Sequence, residues 1–446
     1  MRRALSFFSH PLTWLLVAAL AFGGCAASPT TAPQARPSAA VPPLAPAAPV
    51  PVYPVMLGID VLEADGFAAV KGKTIGLLTH PAGVNRRGEL TIDVLRRAPQ
   101  TKLVRLFAPE HGLYGNDVAG AKVSDTIDRR TGLPVFSLHG DNRKPTAAQL
   151  AGLDALVIDL QDIGVRSYTF NVVMRYAMDA CFLHGVEVIV LDRPNPLGGL
   201  KVDGPTLDRP WMSGVGAFCM PYVHGLTMGE LARYAASEPG VLEVPESLRA
   251  RGRLTIVPMR GWHRAMRWPE TGLTFVPTSQ NIRDFEAVVG YAMIGLGCES
   301  SGFSHGLGTP HPFRLLSFRN VAPTRIAQDL AALHVPGVSY RIANVRDARG
   351  QPASGVFVQV DDWVRWNPTE LSFELMRLAC RYNPPNPFAK LTAEQARSFN
   401  IHVGSTAWWD ALRHEGARID VNLWRRTWAV TAAQWQQATR KYWLYQ

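Results

Sequence analysis

A doubly wound α/β domain, its parallel sheet buried on both faces, is the fold class this chain predicts. Three observations carry the prediction. Short apolar runs recur along the chain, helical stretches separate them, and 446 residues with 47% hydrophobic content can bury a core large enough for two packed units. The runs are KTIGLLT (73–79), KLVRLFA (102–108), LPVFSL (133–138), DALVIDL (154–160) and VEVIVLD (186–192). Each is nearly continuous in apolar residues, as strands covered on both faces must be. Between them LTIDVLRRA (90–98), TAAQLAGL (146–153) and YTFNVVMRYAMDACFLHG (168–185) have helical periodicity, the last closed by Gly185.

Further on, YVHGLTMGELARYAA (222–236) opens a helix at Thr227, with Glu230 three residues later completing a capping box. A helix is predicted over 284–294, then a glycine-rich loop bearing Glu299, His305 and His311. From about Thr324 the chain mixes a strand, SGVFVQVDD (354–362), with helices such as TELSFELMRLACRY (369–382). Its tryptophans suit packing better than sugar platforms.

The N-terminus has its own pattern. Arg2 and Arg3, an apolar stretch over 12–22 and small residues ending at Cys25 predict a secretory signal over 1–25. FGGC (22–25) is similar to a bacterial lipobox, which makes Cys25 the expected lipidation site and the periplasmic face of the outer membrane the expected location. The Ala/Pro-rich segment 26–54 reads as an extended tether between the lipid anchor and the folded part.

Composition narrows the chemistry. The net charge of +10 has no Lys/Arg run behind it, so it suits an anionic wall polymer or lipid surface and not nucleic acid. Cys181, Cys219, Cys298 and Cys380 lack CxxC spacing and stand in apolar contexts, so buried thiols are expected and no metal or other cofactor is assigned. No GxGxxG or GxxxxGK[ST] follows a strand, which argues against a nucleotide, and no GxSxG elbow supports an esterase.

In open α/β sheets, ligands bind outside the carboxyl ends of the strands. The five strands here are followed by HPAGVNRRG, PEHGLYG, HGDNRKPT, QDIGVRSYTF and RPNPLGG. Those tips predict one cleft holding His80, Asn85, Glu110, His111, His139, Asp162, Arg166, Asp192, Arg193 and Asn195. Gly112 and Gly115 let the chain turn beside Glu110 with no side chain in the way.

Ordered blocks from GIDVL (58–62) to RKYWLY (440–445), among them LFAPEHGLYG, GLDALVIDLQDIGVRSYTF, VLDRPNPLGG and PTSQNI, resemble the NamZ-type exo-β-N-acetylmuramidases. The resemblance covers nearly the whole chain after the tether. It implies a Rossmann-like catalytic domain (55–275) and a smaller α+β auxiliary domain (276–446) that completes the cleft. The implied activity is release of N-acetylmuramic acid from non-reducing ends of peptidoglycan fragments. The expected partners are therefore glycan fragments with terminal N-acetylmuramic acid, and the membrane through the lipid anchor.

Glycoside hydrolysis ordinarily needs an acid to protonate the leaving oxygen and a second group to attack or to activate water. Glu110 matches the family's proposed catalytic glutamate, His111 can orient it, and Asp162 is the candidate second carboxylate, with Glu299 as alternate. Asp162 has an equally plain reading as a carboxylate that satisfies backbone donors before a helix. The lactyl carboxylate of muramic acid calls for an Arg fork, for which Arg166 and Arg193 are the candidates, unless they tie loops to Asp192 or Asp162. Tyr168 and Asn195 can bond sugar hydroxyls or the acetamido group; Asn85, Asp192, His224 and His305 complete the expected substrate-binding set. The loop ESSGFSHGLGTPHPFR (299–314) departs from the family's usual EGTNVSEGRGTTRPFE, with His305, Leu307 and Arg314 in place of Glu, Arg and Glu. That departure keeps a non-catalytic peptidoglycan-binding lipoprotein open as an alternative.

Overall fold

The computed structural model describes residues 55–115, 125–140 and 142–446, with only the backbone described at 298–300. The predicted signal, Cys25 and the tether lie outside these residues. No described helix is long and apolar enough to cross a membrane.

The larger sheet has seven strands: β1 (Thr74–Thr79), β2 (Lys102–Ala108), β3 (Thr126–Ile127), β4 (Pro134–Ser137), β5 (Ala155–Asp159), β6 (Glu187–Leu191) and β7 (Leu254–Val257). Their spatial order is β3-β4-β2-β1-β5-β6-β7, with only the short edge strand β3 antiparallel to its neighbour. The chain builds outward from β1 to β4, then returns to lay β5 on the other side of β1. The topological switch point therefore falls between β1 and β5.

Side-chain alternation explains why the runs are continuously apolar. Ile75, Leu77, Leu106, Val157 and Ile189 face one core with α1 (Gly58–Ala64) and α2 (Thr91–Arg96). Leu78, Phe107, Leu156, Ile158 and Val190 face the other, with α4 (Thr169–Leu183) and α5 (Met228–Ser237). The short helices α3 (Ala147–Leu150) and α6 (Glu246–Arg249) complete this half. The doubly wound α/β class is thus present.

The second half joins α7 (Phe285–Ser301) to a four-stranded antiparallel sheet of β8 (Phe303–Ser304), β9 (Leu315–Phe318), β10 (Val338–Arg346) and β11 (Pro352–Val360). Its remaining helices are α8 (Pro323–Ala331), α9 (Glu370–Tyr382), α10 (Ala393–Val403), α11 (Thr406–Glu415) and α12 (Val421–Thr439). Trp408 and Trp428 pack on Phe373 of α9, as expected of structural aromatics. The α4-side core runs on through Val288 and Met293 of α7 into α9, so the two halves share one apolar interior.

One element differs from expectation. The helix predicted to stop near residue 294 continues to Ser301 and closes at Gly302, which has φ +84°. Gly295 and Gly297 read as loop residues, yet a Cβ on Gly297 would lie 2.6 Å from the Ser372 carbonyl of α9. Glycine here permits close helix packing. Glu299 therefore belongs to a helix and not to the predicted loop, and its side chain lies outside the described residues.

Candidate active site

Glu110 sits two residues past β2, whose last three residues are fully buried. Two successive left-handed residues, His111 (φ 73°) and Gly112 (φ 77°), then fold the chain away. At His111 this conformation costs on the order of 1–3 kcal/mol, which the surrounding structure must offset. The Glu110 carboxylate accepts a hydrogen bond of 3.0 Å from Thr169 Oγ1, at the first turn of α4, and lies 3.9 Å from His139 Nε2. Its side chain retains 17% of its accessible surface. It borders a hollow of about 230 Å³ whose walls include Leu138, Arg143, Val172, Tyr176 and Gly214. His139, from the tip after β4, stands on the same wall.

Asp162 occupies a different setting. It is 6% exposed and lines neither of the two hollows described in this subsection. Its Oδ2 accepts the Gly164 amide at 2.8 Å and faces His224 Nε2 at 3.5 Å, while its Oδ1 is 3.4 Å from Asn171 Nδ2 of α4. His224 Nδ1 accepts the Leu226 amide at 3.2 Å, which fixes the ring with Nε2 on the Asp162 side. His224 is buried behind Asp162 and does not open onto solvent. Tyr168 donates to Thr278 Oγ1 at 2.7 Å. Burial pushes the Tyr168 phenol well above its ordinary range, and the charges of Asp162 and Glu110 add to the rise. The phenol is a fixed donor, committed to the PTSQNI segment.

Several expected ligands are structural instead. The Arg166 guanidinium is buried and donates to four carbonyls: Pro205 at 2.7 Å, Met220 at 3.0 Å, His402 at 3.0 Å and Val403 at 2.8 Å. Burial lowers it to about 10, so it stays a cation, held partly by the carbonyl end of α10. Arg193 forks onto Asp159 at 2.5 and 2.8 Å and reaches the Val84 carbonyl at 2.7 Å. Neither guanidinium bonds Asp162 or Asp192, although the Arg193 amide donates to Asp192 Oδ1 at 3.0 Å, and neither lines the hollow that holds Glu110. Asn195 packs over Gly164 and bridges the Leu226 carbonyl and Leu197 amide at 3.1 and 3.0 Å. Asp192 accepts from Thr227 Oγ1, the Gly229 amide and Tyr445 Oη, fixing the start of α5 to the C-terminal segment. Burial raises its carboxyl to about 6. The Thr227–Glu230 capping box is present as predicted, with Glu230 also paired to Arg264 at 2.6 Å.

The predicted single cleft is thus divided. Asn85, Arg193 and Gln161 border a second hollow of about 260 Å³, on the α1 side with Leu57 and Trp268. Asn85 itself holds its own turn, accepting the Arg87 and Glu89 amides at 3.0 Å each. His80 spans the switch point: its Nε2 accepts the Gln161 amide at 2.9 Å, and burial holds it well below the usual imidazole range, hence neutral. On the second half, His305 stacks on Phe313 (5.3 Å between centroids, 7° between planes). Phe313 meets Tyr291 at 4.9 Å, and Tyr291 meets Tyr168 at 6.3 Å. This aromatic row connects the divergent loop to the Tyr168 wall. Sequence reasoning passed over Thr169 and Arg143. Their signals were present, one opening the helix after QDIGVRS and one inside the HGDNRKPT tip.

A partly open glutamate at a strand tip, held by a hydroxyl donor beside a hollow of about 230 Å³, is an arrangement that suits a hydrolase of the glycosidase class. Comparison with known proteins agrees. Residues 75–286 match the N-terminal and residues 289–445 the C-terminal family model of the exo-β-N-acetylmuramidase NamZ, and the chain belongs to this family. It is 41% identical over 290 residues to the peptidoglycan β-N-acetylmuramidase NamZ of Bacillus subtilis, covering 65% of this chain and 68% of that one. A DUF1343 family crystal structure from Bacteroides fragilis (BF0371) superposes with TM-score 0.79 at 34% identity, over 89% of this chain and all of that one. A second such protein from the same organism (BF0379) gives TM-score 0.67 at 25% identity, over 88% of this chain and 99% of the other. The chain is a glycoside hydrolase.

Proposed function

We propose that this enzyme is an exo-acting β-N-acetylmuramidase that releases N-acetylmuramic acid from the non-reducing ends of peptidoglycan glycan fragments. The observation that carries the reading is Glu110 on the wall of the hollow, with Thr169 and His139 beside its two oxygens. In this mechanism Glu110 protonates the glycosidic oxygen as the bond to the anomeric carbon breaks. Thr169 and the left-handed turn at His111 hold the carboxyl in place for that transfer. Asp162 is proposed as the second carboxylate, and its charge, like that of Glu110, acts on the Tyr168 phenol. His224 and the Gly164 amide set its orientation.

We further propose export through the 1–25 signal, lipidation at Cys25 and attachment to the outer membrane from the periplasmic side. The 26–54 tether would hold the enzyme off the lipid. Both follow from sequence pattern alone. The test is incubation with defined oligomers of alternating N-acetylmuramic acid and N-acetylglucosamine, followed by mass spectrometry. Release of one N-acetylmuramic acid from each chain that begins with it is expected, leaving a product that begins with N-acetylglucosamine. Binding without release, or internal cuts giving disaccharides, would refute the exo-hydrolase reading.

A further inference from the structure

Muramic acid differs from glucosamine by a lactyl ether that carries a carboxylate, and the two arginines expected to read it have guanidiniums bonded within the protein and line no part of the Glu110 hollow. We propose that Arg143 is the specificity-determining residue that recognises this carboxylate in the Glu110 hollow. The inference rests on the proposed muramidase reading and names the group that selects its substrate.

The tip after β4 carries Arg143 onto the wall of that hollow, opposite the first turns of α4. Among the described residues it is the only guanidinium lining it, and it makes no ion pair there. Its Nε donates to the Gly140 carbonyl at 3.2 Å, which orients the group and leaves both terminal nitrogens for a ligand. The guanidinium lies directly against the Cα of Gly214, and a Cβ there would occupy its place. Glycine thus provides the shelf.

Neighbouring cations are engaged elsewhere. Lys144 pairs with Glu243 at 2.6 Å and Asp179 at 3.4 Å. Arg175 donates to the Val241 and Ala217 carbonyls at 2.7 and 2.8 Å. An anionic sugar entering beside Glu110 brings a carboxylate into the hollow, and Arg143 is placed to neutralise it through a planar fork. The apolar wall of Leu138, Val172 and Val215 offers a surface for the lactyl methyl.

The experiment is calorimetric titration of the full chain, carrying Glu110→Gln to prevent turnover, with N-acetylmuramic acid and with its lactyl methyl ester. Arg143→Gln should weaken the acid roughly ten- to hundredfold and leave the ester unchanged. Arg143→Lys should recover part of the loss, and Gly214→Ala, which pushes the guanidinium off its shelf, should act in the same direction as Arg143→Gln. Equal effects on acid and ester, or no effect on either, would overturn the inference. Release of N-acetylmuramic acid by the unmodified enzyme with no Arg143-dependent preference would sink the inference alone. An Arg143-dependent preference in a protein that releases no sugar would sink the proposed reaction and leave the inference standing.

Discussion

The tips after β2 and β4 and the tips after β5 and β6 end the same sheet at the same edge, yet they do opposite things with their polar residues. Glu110, His139 and Arg143 are half-buried or exposed and border a hollow. Asp162, Arg166, Asp192, Arg193 and Asn195 are all buried, and each is held by hydrogen bonds within the protein, Arg166 through both terminal nitrogens of its guanidinium. A polar group sealed from water must be paired, so Arg166, Asp192, Arg193 and Asn195 hold loops in place, and Asp162 is the one member of the second set also proposed for chemistry. The first set lies along the wall of the hollow at the ends of β2 and β4.

The sharpest way to break this comparison is to neutralise one carboxylate from each side. Glu110→Gln should lower kcat by about 100- to 10,000-fold with little change in unfolding midpoint. Asp162→Asn removes the charge facing His224 and should appear first as lost stability, about 1–2 kcal/mol in denaturant unfolding. If Asp162→Asn matched Glu110→Gln in rate loss at unchanged stability, the buried side would hold a catalytic carboxylate as well, and the division would fail in the direction the proposed mechanism favours.

Next in size is Arg193→Ala. The Arg193–Asp159 fork is fully buried, and Asp159 also accepts from Thr91 Oγ1. Removing the guanidinium strands a carboxylate at the end of β5, so a loss of about 3–5 kcal/mol is expected in equilibrium unfolding. A loss under about 1 kcal/mol would mean that water reaches this pair, and that the β5–β6 side is more open than its burial indicates.

These contrasts also explain what could be read from the amino-acid order. Strand positions followed from hydrophobic runs because both faces of the sheet are covered; Leu156 and Val157 serve different cores but must both be apolar. The edge of the sheet bearing polar tips followed from chain direction alone. The destination of each guanidinium did not, since the partners of Arg166 lie up to 237 residues away on α10. Nor did the end of α7, where Gly297 is a packing device against Ser372. Whether a tip closes or opens depends on what the rest of the chain lays over it, and that information is non-local.

A further contrast tests the sealed side by titration. Asp192 is fully buried and its carboxyl is raised to about 6 from an ordinary 3.8, so the folded state holds its proton over a range in which the unfolded chain has already lost it. Where the folded state binds more protons, stability falls as pH rises. The contribution of this group is therefore complete below about pH 4, declines between about pH 4 and 6, and is absent above. A shift of roughly two pH units corresponds to about 3 kcal/mol. Asp192→Asn cannot titrate, although it alters the bonds to Thr227, Gly229 and Tyr445 by an amount that does not depend on pH. The difference in unfolding free energy between the two proteins should thus change by up to about 3 kcal/mol across that window, with the native protein losing ground as pH rises. A constant difference would show that the donors around Asp192 stabilise its charge as well as water does, and that burial on this side of the sheet carries no electrostatic penalty.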